Sequence, residues 1–190
     1  MLTQEADAAT ALRGGRAMLT LGFERLGVIA DDMAGQVDPQ YPLLLEHYEA
    51  DLHRRTRFYP GALDAVETLR SQGFATAICT NKPERLAEIL MQRLGARDLF
   101  HSLIGADTLP TRKPDTAPFI AAIERSGGAT GRAIMIGDTI TDHSTARAAG
   151  APSVLVTFGP VGADAVSHLD ADAFLDHFDD LPALAEKLTP

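Results

Sequence analysis

The chain has 190 residues, a formal net charge of −9 from 17 Lys+Arg against 26 Asp+Glu, 45% hydrophobic residues and one cysteine. That apolar share is too high for a disordered chain, the lone Cys79 excludes a disulfide framework and a multi-cysteine zinc site, and no run approaches the roughly 18 apolar residues of a membrane span. The opening MLTQEADAAT lacks the basic and apolar regions of a signal peptide, and an acidic total without a Lys/Arg cluster argues against non-specific nucleic-acid binding, so the expectation is a cytoplasmic globular protein with one core and a small appendage.

Residues 1–57 read as helical only. Leu12, Met18, Leu19, Phe23 and Leu26 are spaced for one helix face, weakened or broken near its start by Gly14-Gly15. Gln4 to Thr10 fits a helix or a frayed tail. Asp38-Pro39 is expected to open a second helix with Leu44, Leu45, Tyr48 and Leu52 as its apolar face. A helix pair with no strand is a lid or cap rather than a domain. Residues 58–190 alternate instead. A helix carrying Leu63, Val66 and Leu69 stops at Gly73, and Phe74 to Thr80 reads as a strand. A helix from Pro83 to Leu94, a strand from Ser102 to Gly105, a helix over 117–125 and a strand from Ala133 to Gly137 follow. Asp142 to Ala149 is helical, Ser153 to Thr157 a strand, and a short strand at Ala173 to Leu175 precedes a last helix from Leu181. Short, continuously apolar strands between helices imply a parallel sheet covered on both faces. In such sheets the working residues lie at the carboxyl ends of the strands.

Three polar signals fall at those ends. In Thr80-Asn81-Lys82-Pro83, a hydroxyl and the next backbone N–H groups can grip phosphate oxygens, although Thr80 could simply cap the following helix. In Arg112-Lys113-Pro114-Asp115, Lys113 could neutralise a phosphate or a carboxylate; the plain alternative is a solvated lysine. In Gly137-Asp138-Thr139-Ile140-Thr141-Asp142, two carboxylates one helical turn apart offer hard oxygen donors suited to Mg²⁺. The competing reading has Asp138 or Thr141 capping the helix and Asp142 complementing its dipole.

The order hydroxyl, lysine, acidic pair on successive strand–helix junctions resembles the second, third and fourth motifs of the haloacid dehalogenase-like (HAD) phosphatases, most of all the phosphoglycolate phosphatase branch. The resemblance rests on ICTNKP, TRKPD and GDTITD. It extends to Gly105-Ala106-Asp107-Thr108-Leu109-Pro110, to Ala146-Arg147-Ala148-Ala149-Gly150 and to Tyr59-Pro60-Gly61, and covers residues 12–190, with Thr116 standing where Pro is common. It implies a Mg²⁺-dependent phosphomonoesterase of small phosphorylated carboxylates, phosphoglycolate being favoured, working through an aspartyl-phosphate. Thr80 and the Asn81 backbone would bind the phosphoryl group, and Lys113 would offset the charge of nucleophile and phosphate. Asp138 would ligate Mg²⁺; Asp142 would hold that metal's water or orient Lys113. Such a site works by positioning and charge stabilisation.

The family's first motif, an apolar strand ending in DxDGT ahead of the cap, does not occur. Asp31-Asp32 follows Val28-Ile29-Ala30 but is an adjacent pair whose side chains diverge. Asp170-Ala171-Asp172 has the spacing but follows Ser167-His168-Leu169 and lacks Gly-Thr after it. The expected fold is therefore an α/β, three-layer, parallel-sheet HAD-like core (58–190) missing its first central strand, with a small helical cap remnant (1–57). The resemblance further implies a truncated form, inactive for lack of the nucleophile, with Met1 falling inside the cap. A strand from another segment or chain could instead fill the gap. A non-catalytic fragment or interaction protein is the competing functional reading.

Cys79 reads as core. His47, His53, His101, His143, His168 and His177 show no metal-ligand spacing, and His143 reads as surface or support to the acidic motif. Arg16, in the cap, could grip a small carboxylate, or be a solvated side chain beside a flexible turn. A receiver domain would place its acidic pair before its lysine, and a dinucleotide fold would carry GxGxxG at a strand–helix turn; neither occurs. The expected partner is a small phosphorylated substrate, with neither nucleic acid nor membrane, and a homodimer is left open.

Overall fold

The computed structural model describes residues 7, 10, 11, 13–52, 54 and 56–189. Most of the Gln4–Thr10 segment, Leu12 and His53 lie outside the described residues. The chain divides into two compact units, Met1–Thr56 and Arg57–Pro190.

The first unit is built on two helices packed together, α1 (Gly15–Arg25) and α2 (Ala30–Asp51). Gly14 takes φ +98° just ahead of α1, and a Cβ on Gly15 would lie 2.8 Å from a methyl of Leu44, so this glycine pair opens the helix and lets α2 come close. The expected helix start at Asp38-Pro39 is corrected. The helix begins at Ala30, with Asp31 and Asp32 in its first turn, and runs through Pro39 and Pro42. Acidic residues at the helix N-terminus favour the earlier start. The two prolines are three apart, so the donors they remove fall on neighbouring positions of one side.

The second unit alternates: α3 (Ala62–Ser71), β1 (Ala77–Cys79), α4 (Glu84–Arg93), β2 (Ser102–Ile104), α5 (Ala117–Arg125), β3 (Met135–Gly137), α6 (Ile140–Ala148), β4 (Ser153–Val156), β5 (Ala173–Leu175) and α7 (Leu181–Leu188). All strand pairs are parallel. They form two sheets rather than one, β1–β2 and β3–β4–β5. In the first, Ala77 pairs with Ser102; in the second, Met135 pairs with Ser153 and Val154 with Ala173.

Alternate residues of β4 face opposite layers. Val154 and Val156 pack with Ala65 and Leu69 of α3 and Leu181 and Ala185 of α7. Phe119 and Ile123 of α5 pack with Met135 of β3 and Ala146 of α6 on the other side. The unit is thus a three-layer α/β sandwich. Burial separates the strands: β2 and β4 are buried throughout, whereas β1 is exposed at Ala77 and β3 is buried only at Met135. Between β1 and β3 lies a cavity of about 770 Å³, lined by Ala77, Cys79, Ile134, Ile136, Leu69 and Phe119 among others. No helix of the described residues is long and apolar enough to cross a membrane.

Candidate active site

The three polar signals meet at the carboxyl ends of β1 and β3. Lys113 Nζ donates to the carbonyl of Cys79, the last residue of β1, at 2.7 Å, and to Asp142 Oδ1 at 2.6 Å. Both side chains of that ion pair are only 9% exposed, so neither is a solvated surface charge. The Lys113–Pro114 peptide is cis. Asn81 Nδ2 donates to the Lys113 carbonyl at 3.0 Å, tying the lysine's backbone to the turn after β1. The Asn81 Oδ1 is a buried acceptor with no partner among the described residues.

Thr80 does not cap α4, which begins after Pro83. Its Oγ1 accepts the Lys82 N–H at 3.1 Å, tightening the turn and leaving the hydroxyl proton to donate elsewhere. That turn is bolted down by the segment after β2. Ala106 N–H donates to the Lys82 carbonyl, Glu84 N–H to Asp107 Oδ1 at 2.7 Å, and Thr108 Oγ1 to Glu84 Oε2 at 2.7 Å. Thr108 Oγ1 also accepts the Gly105 N–H at 2.8 Å. A Cβ on Gly105 would overlap the Glu84 backbone, so only glycine permits this approach. The Gly105–Thr108 pattern thus positions the turn that follows β1, a role that the sequence does not reveal.

Asp142 is satisfied on both oxygens. Oδ1 takes Lys113, and Oδ2 takes the N–H groups of Asp138 and Thr139 at 3.2 Å and the Thr139 hydroxyl at 2.7 Å. The N-cap of α6 is Thr139, not Asp138 or Thr141. The spacing Thr139-x-x-Asp142 is a capping-box pattern that could have identified it. Asp138 is then free of capping work. Burial, and after it the nearby Asp142 charge, push its carboxyl above the ordinary range. Gly159 backs it, where a Cβ would come within 2.8 Å of Asp138 Cβ.

Asp138 fits a Mg²⁺ ligand: a half-buried carboxylate with raised proton affinity gains from a cation, and Mg²⁺ asks for only one or two carboxylates. Asp142 would have to release its donors to ligate directly, so its geometry favours orienting Lys113. No group of three or more metal-ligating side chains occurs among the described residues.

Asp170 and Asp172 lie apart from this cluster. Asp172 accepts the Ser153 N–H at 2.8 Å and pairs with Arg147 at 3.1 Å; Asp170 also faces Arg147. Both acidic residues sit where β4 and β5 begin, the opposite end of the sheet from Thr80 and Asp138, and they staple structure. His143 reaches the Ser153 hydroxyl at 3.1 Å. Cys79 is raised to about 11, chiefly by burial, so its thiol stays protonated at neutral pH. In the first unit, Arg16 pairs with Asp38 at 2.5 Å and lies 4.6 Å above the Tyr41 ring.

Residues 22–156 match the family model of the haloacid dehalogenase-like hydrolases. The chain belongs to that family. Among its HAD relatives is a protein of Agrobacterium fabrum named phosphoglycolate phosphatase, 40% identical over 153 residues, which are 80% of this chain and 65% of that protein. A Caulobacter vibrioides protein of the same name is 35% identical over 170 residues, 90% of this chain and 70% of the relative. The chain therefore spans just under two thirds of the length of the first relative. A solved structure from Haemophilus somnus, described as a predicted phosphoglycolate phosphatase, superposes with a TM-score of 0.75 at 24% identity, over 89% of this chain and 74% of that one. A hydrolase from Pseudomonas syringae gives 0.73 at 19% identity, over 100% and 85%. At these identities the structures support the fold, which is HAD-like.

Proposed function

We propose that this chain carries the phosphate grip, the charge-balancing lysine and the metal carboxylate of a cytoplasmic, Mg²⁺-dependent phosphomonoesterase of small phosphorylated carboxylates, phosphoglycolate first among them. The observation that supports it is the convergence on one point of Lys113, Asp142, the turn at Thr80-Asn81 and Asp138. Thr80 Oγ1 and the N–H groups of its turn bind the phosphoryl oxygens. Lys113, held in line by Asp142, neutralises charge that accumulates between phosphate and attacking carboxylate. Asp138 holds Mg²⁺, which when bound withdraws charge from the phosphoryl oxygens. Arg16 is the candidate for the substrate carboxylate, exchanging Asp38 for it. The names of the relatives favour phosphoglycolate.

The described site contains no carboxylate placed as nucleophile, so these 190 residues are inactive by themselves in this reading. The test is phosphate release from 2-phosphoglycolate in Mg²⁺ by this chain and by the same chain extended with an N-terminal strand ending in Asp-x-Asp-Gly-Thr. Turnover by the extended chain alone, lost on Asp138→Asn, is expected. No turnover with Lys113 and Asp138 intact would defeat the reading and leave a non-catalytic role. Hydrolysis by the 190 residues, abolished by Asp170→Asn, would refute the assignment of Asp170 as structural.

A further inference from the structure

The side chain of Asp138 rests against the loop that follows β4. A Cβ on Gly159 would lie 2.8 Å from Asp138 Cβ, 3.3 Å from Oδ2 and 3.5 Å from Cγ, so the Gly159 backbone runs along the whole side chain. Gly159 does not take a positive φ. Its conformation is open to any residue, and the space beside Asp138 is what demands glycine. The Asp138 backbone is held from elsewhere, its N–H donating to Asp142 Oδ2 at 3.2 Å. That bond leaves the side-chain torsion χ1 unfixed.

A row of three rings sets the place of Gly159. Phe158, the residue before it, stands edge-on between Tyr59, at 5.2 Å and 64°, and Phe178, at 5.1 Å and 72°. Phe158 and Phe178 pack on the core shared by α3, β4 and α7. Tyr59 ends the row and is 44% exposed. Its segment is anchored two residues on by Gly61, where φ is +74° and a Cβ would come within 2.6 Å of Asp179 Oδ1. The loop itself is pinned on either side of the ring. Thr157 Oγ1 donates to Asp176 Oδ1 at 2.6 Å, and Gly162 N–H donates to the Gly159 carbonyl at 2.9 Å. The Phe158 ring therefore decides how closely the middle of the loop approaches Asp138.

We propose that Phe158 and Tyr59 are positioning residues for Asp138. The ring row holds the Gly159 backbone against the carboxylate and confines it to a single rotamer, preorganised to take a divalent cation. The cation rests on the reading of Asp138 as a Mg²⁺ ligand; the wall rests on the geometry alone. A carboxylate already confined does not lose its χ1 freedom when the cation binds, so the wall adds affinity without touching the metal.

The experiment uses the isotope-labelled 190-residue chain. The Asp138 rotamer is read without metal from the three-bond couplings of Cγ to the backbone nitrogen and carbonyl carbon. Mg²⁺ affinity is read from the rise of the urea midpoint with Mg²⁺ concentration. The wild type and Tyr59→Phe should show one rotamer and equal affinity. In Phe158→Leu and Tyr59→Leu the couplings should average between rotamers, and Mg²⁺ should bind about threefold to tenfold more weakly, the worth of an aromatic pair. Tyr59 is exposed, so Tyr59→Leu carries the test if Phe158→Leu does not fold. Ile123→Val, a core loss in the opposite layer, should lower the midpoint and leave rotamer and affinity alone. Averaged couplings in the wild type, unchanged couplings in the leucine variants, or averaging in Ile123→Val as well would overturn the proposal. So would Tyr59→Phe behaving like Tyr59→Leu, or averaged couplings with no loss of Mg²⁺ affinity when the wild type binds the ion. If Mg²⁺ leaves the wild-type midpoint unmoved while the couplings respond as expected, the metal reading of Asp138 fails and the wall stands.

Discussion

Replacing Lys113 by Met keeps the length of the stem and removes the ammonium from between Cys79 O and Asp142. The pair is 2.6 Å long and 9% exposed on each side, the regime in which deleting one partner strands a charge and costs about 3–5 kcal/mol. Three donors remain on Asp142 Oδ2, which holds the loss near the lower end, at about 3 kcal/mol. For a chain of this size that corresponds to a fall in Tm of about 6–12 °C. Urea unfolding followed by far-UV circular dichroism should show a lower midpoint at unchanged slope. In a cycle with Asp142→Asn, the double variant should be less destabilised than the sum of the two single variants, because each removes the same contact. A loss under about 0.5 kcal/mol, or strict additivity, would show that the lysine is solvated and that the site's central contact does not exist.

Gly137→Ala would drive a Cβ into the Asp142 side chain. Overpacking there should cost about 1–3 kcal/mol and is checked by the same urea transition, with an unchanged midpoint as the failing result. Asp138 binds its proton more tightly folded than unfolded. Between the ordinary carboxyl value and its raised one the native state therefore holds more protons, and stability falls as pH rises through that window. Asp138→Asn should remove that slope, so its stability relative to the wild type climbs as pH rises above about 4 and stays higher at pH 7 without metal. Mg²⁺ should raise the midpoint of the wild type and leave that of Asp138→Asn where it was. Thr108→Val removes the acceptor for Gly105 N–H and the donor to Glu84. It should cost about 1–3 kcal/mol and speed amide exchange at Lys82, the residue bonded to Thr80; exchange unchanged there would separate the Gly105–Thr108 segment from the turn at Thr80.

Local rules were enough for elements whose own residues carry both face and boundary. Pro118 early in the helix, with Phe119, Ala122 and Ile123 buried, makes the Ala117–Arg125 helix readable directly. So do the Gly73 and Gly150 stops, both at positive φ. The order of Thr80, Lys113, Asp138 and Asp142 was likewise legible, because strand–helix alternation places each at a carboxyl end. Elements that depend on a neighbour were not. The segment 74–80 reads as a seven-residue strand, yet only Ala77–Cys79 forms a ladder, since among the described residues it pairs on one side alone. The long α2 contradicts the proline signal, because a helix tolerates missing donors where they fall together.

What the amino-acid order determined is the fold class, the succession of elements and the kinds of chemistry at their ends. Short-range propensities and apolar periodicity act within a dozen residues and survive in any context. The tertiary structure decided which oxygen of Asp142 meets Lys113, that Asp107 and Thr108 clamp the turn after β1, and that β1 and β3 stand apart across a cavity. Those outcomes hang on contacts between residues 20 to 60 positions apart, where Å-scale placement of backbone and side chain, not residue type, fixes who pairs with whom.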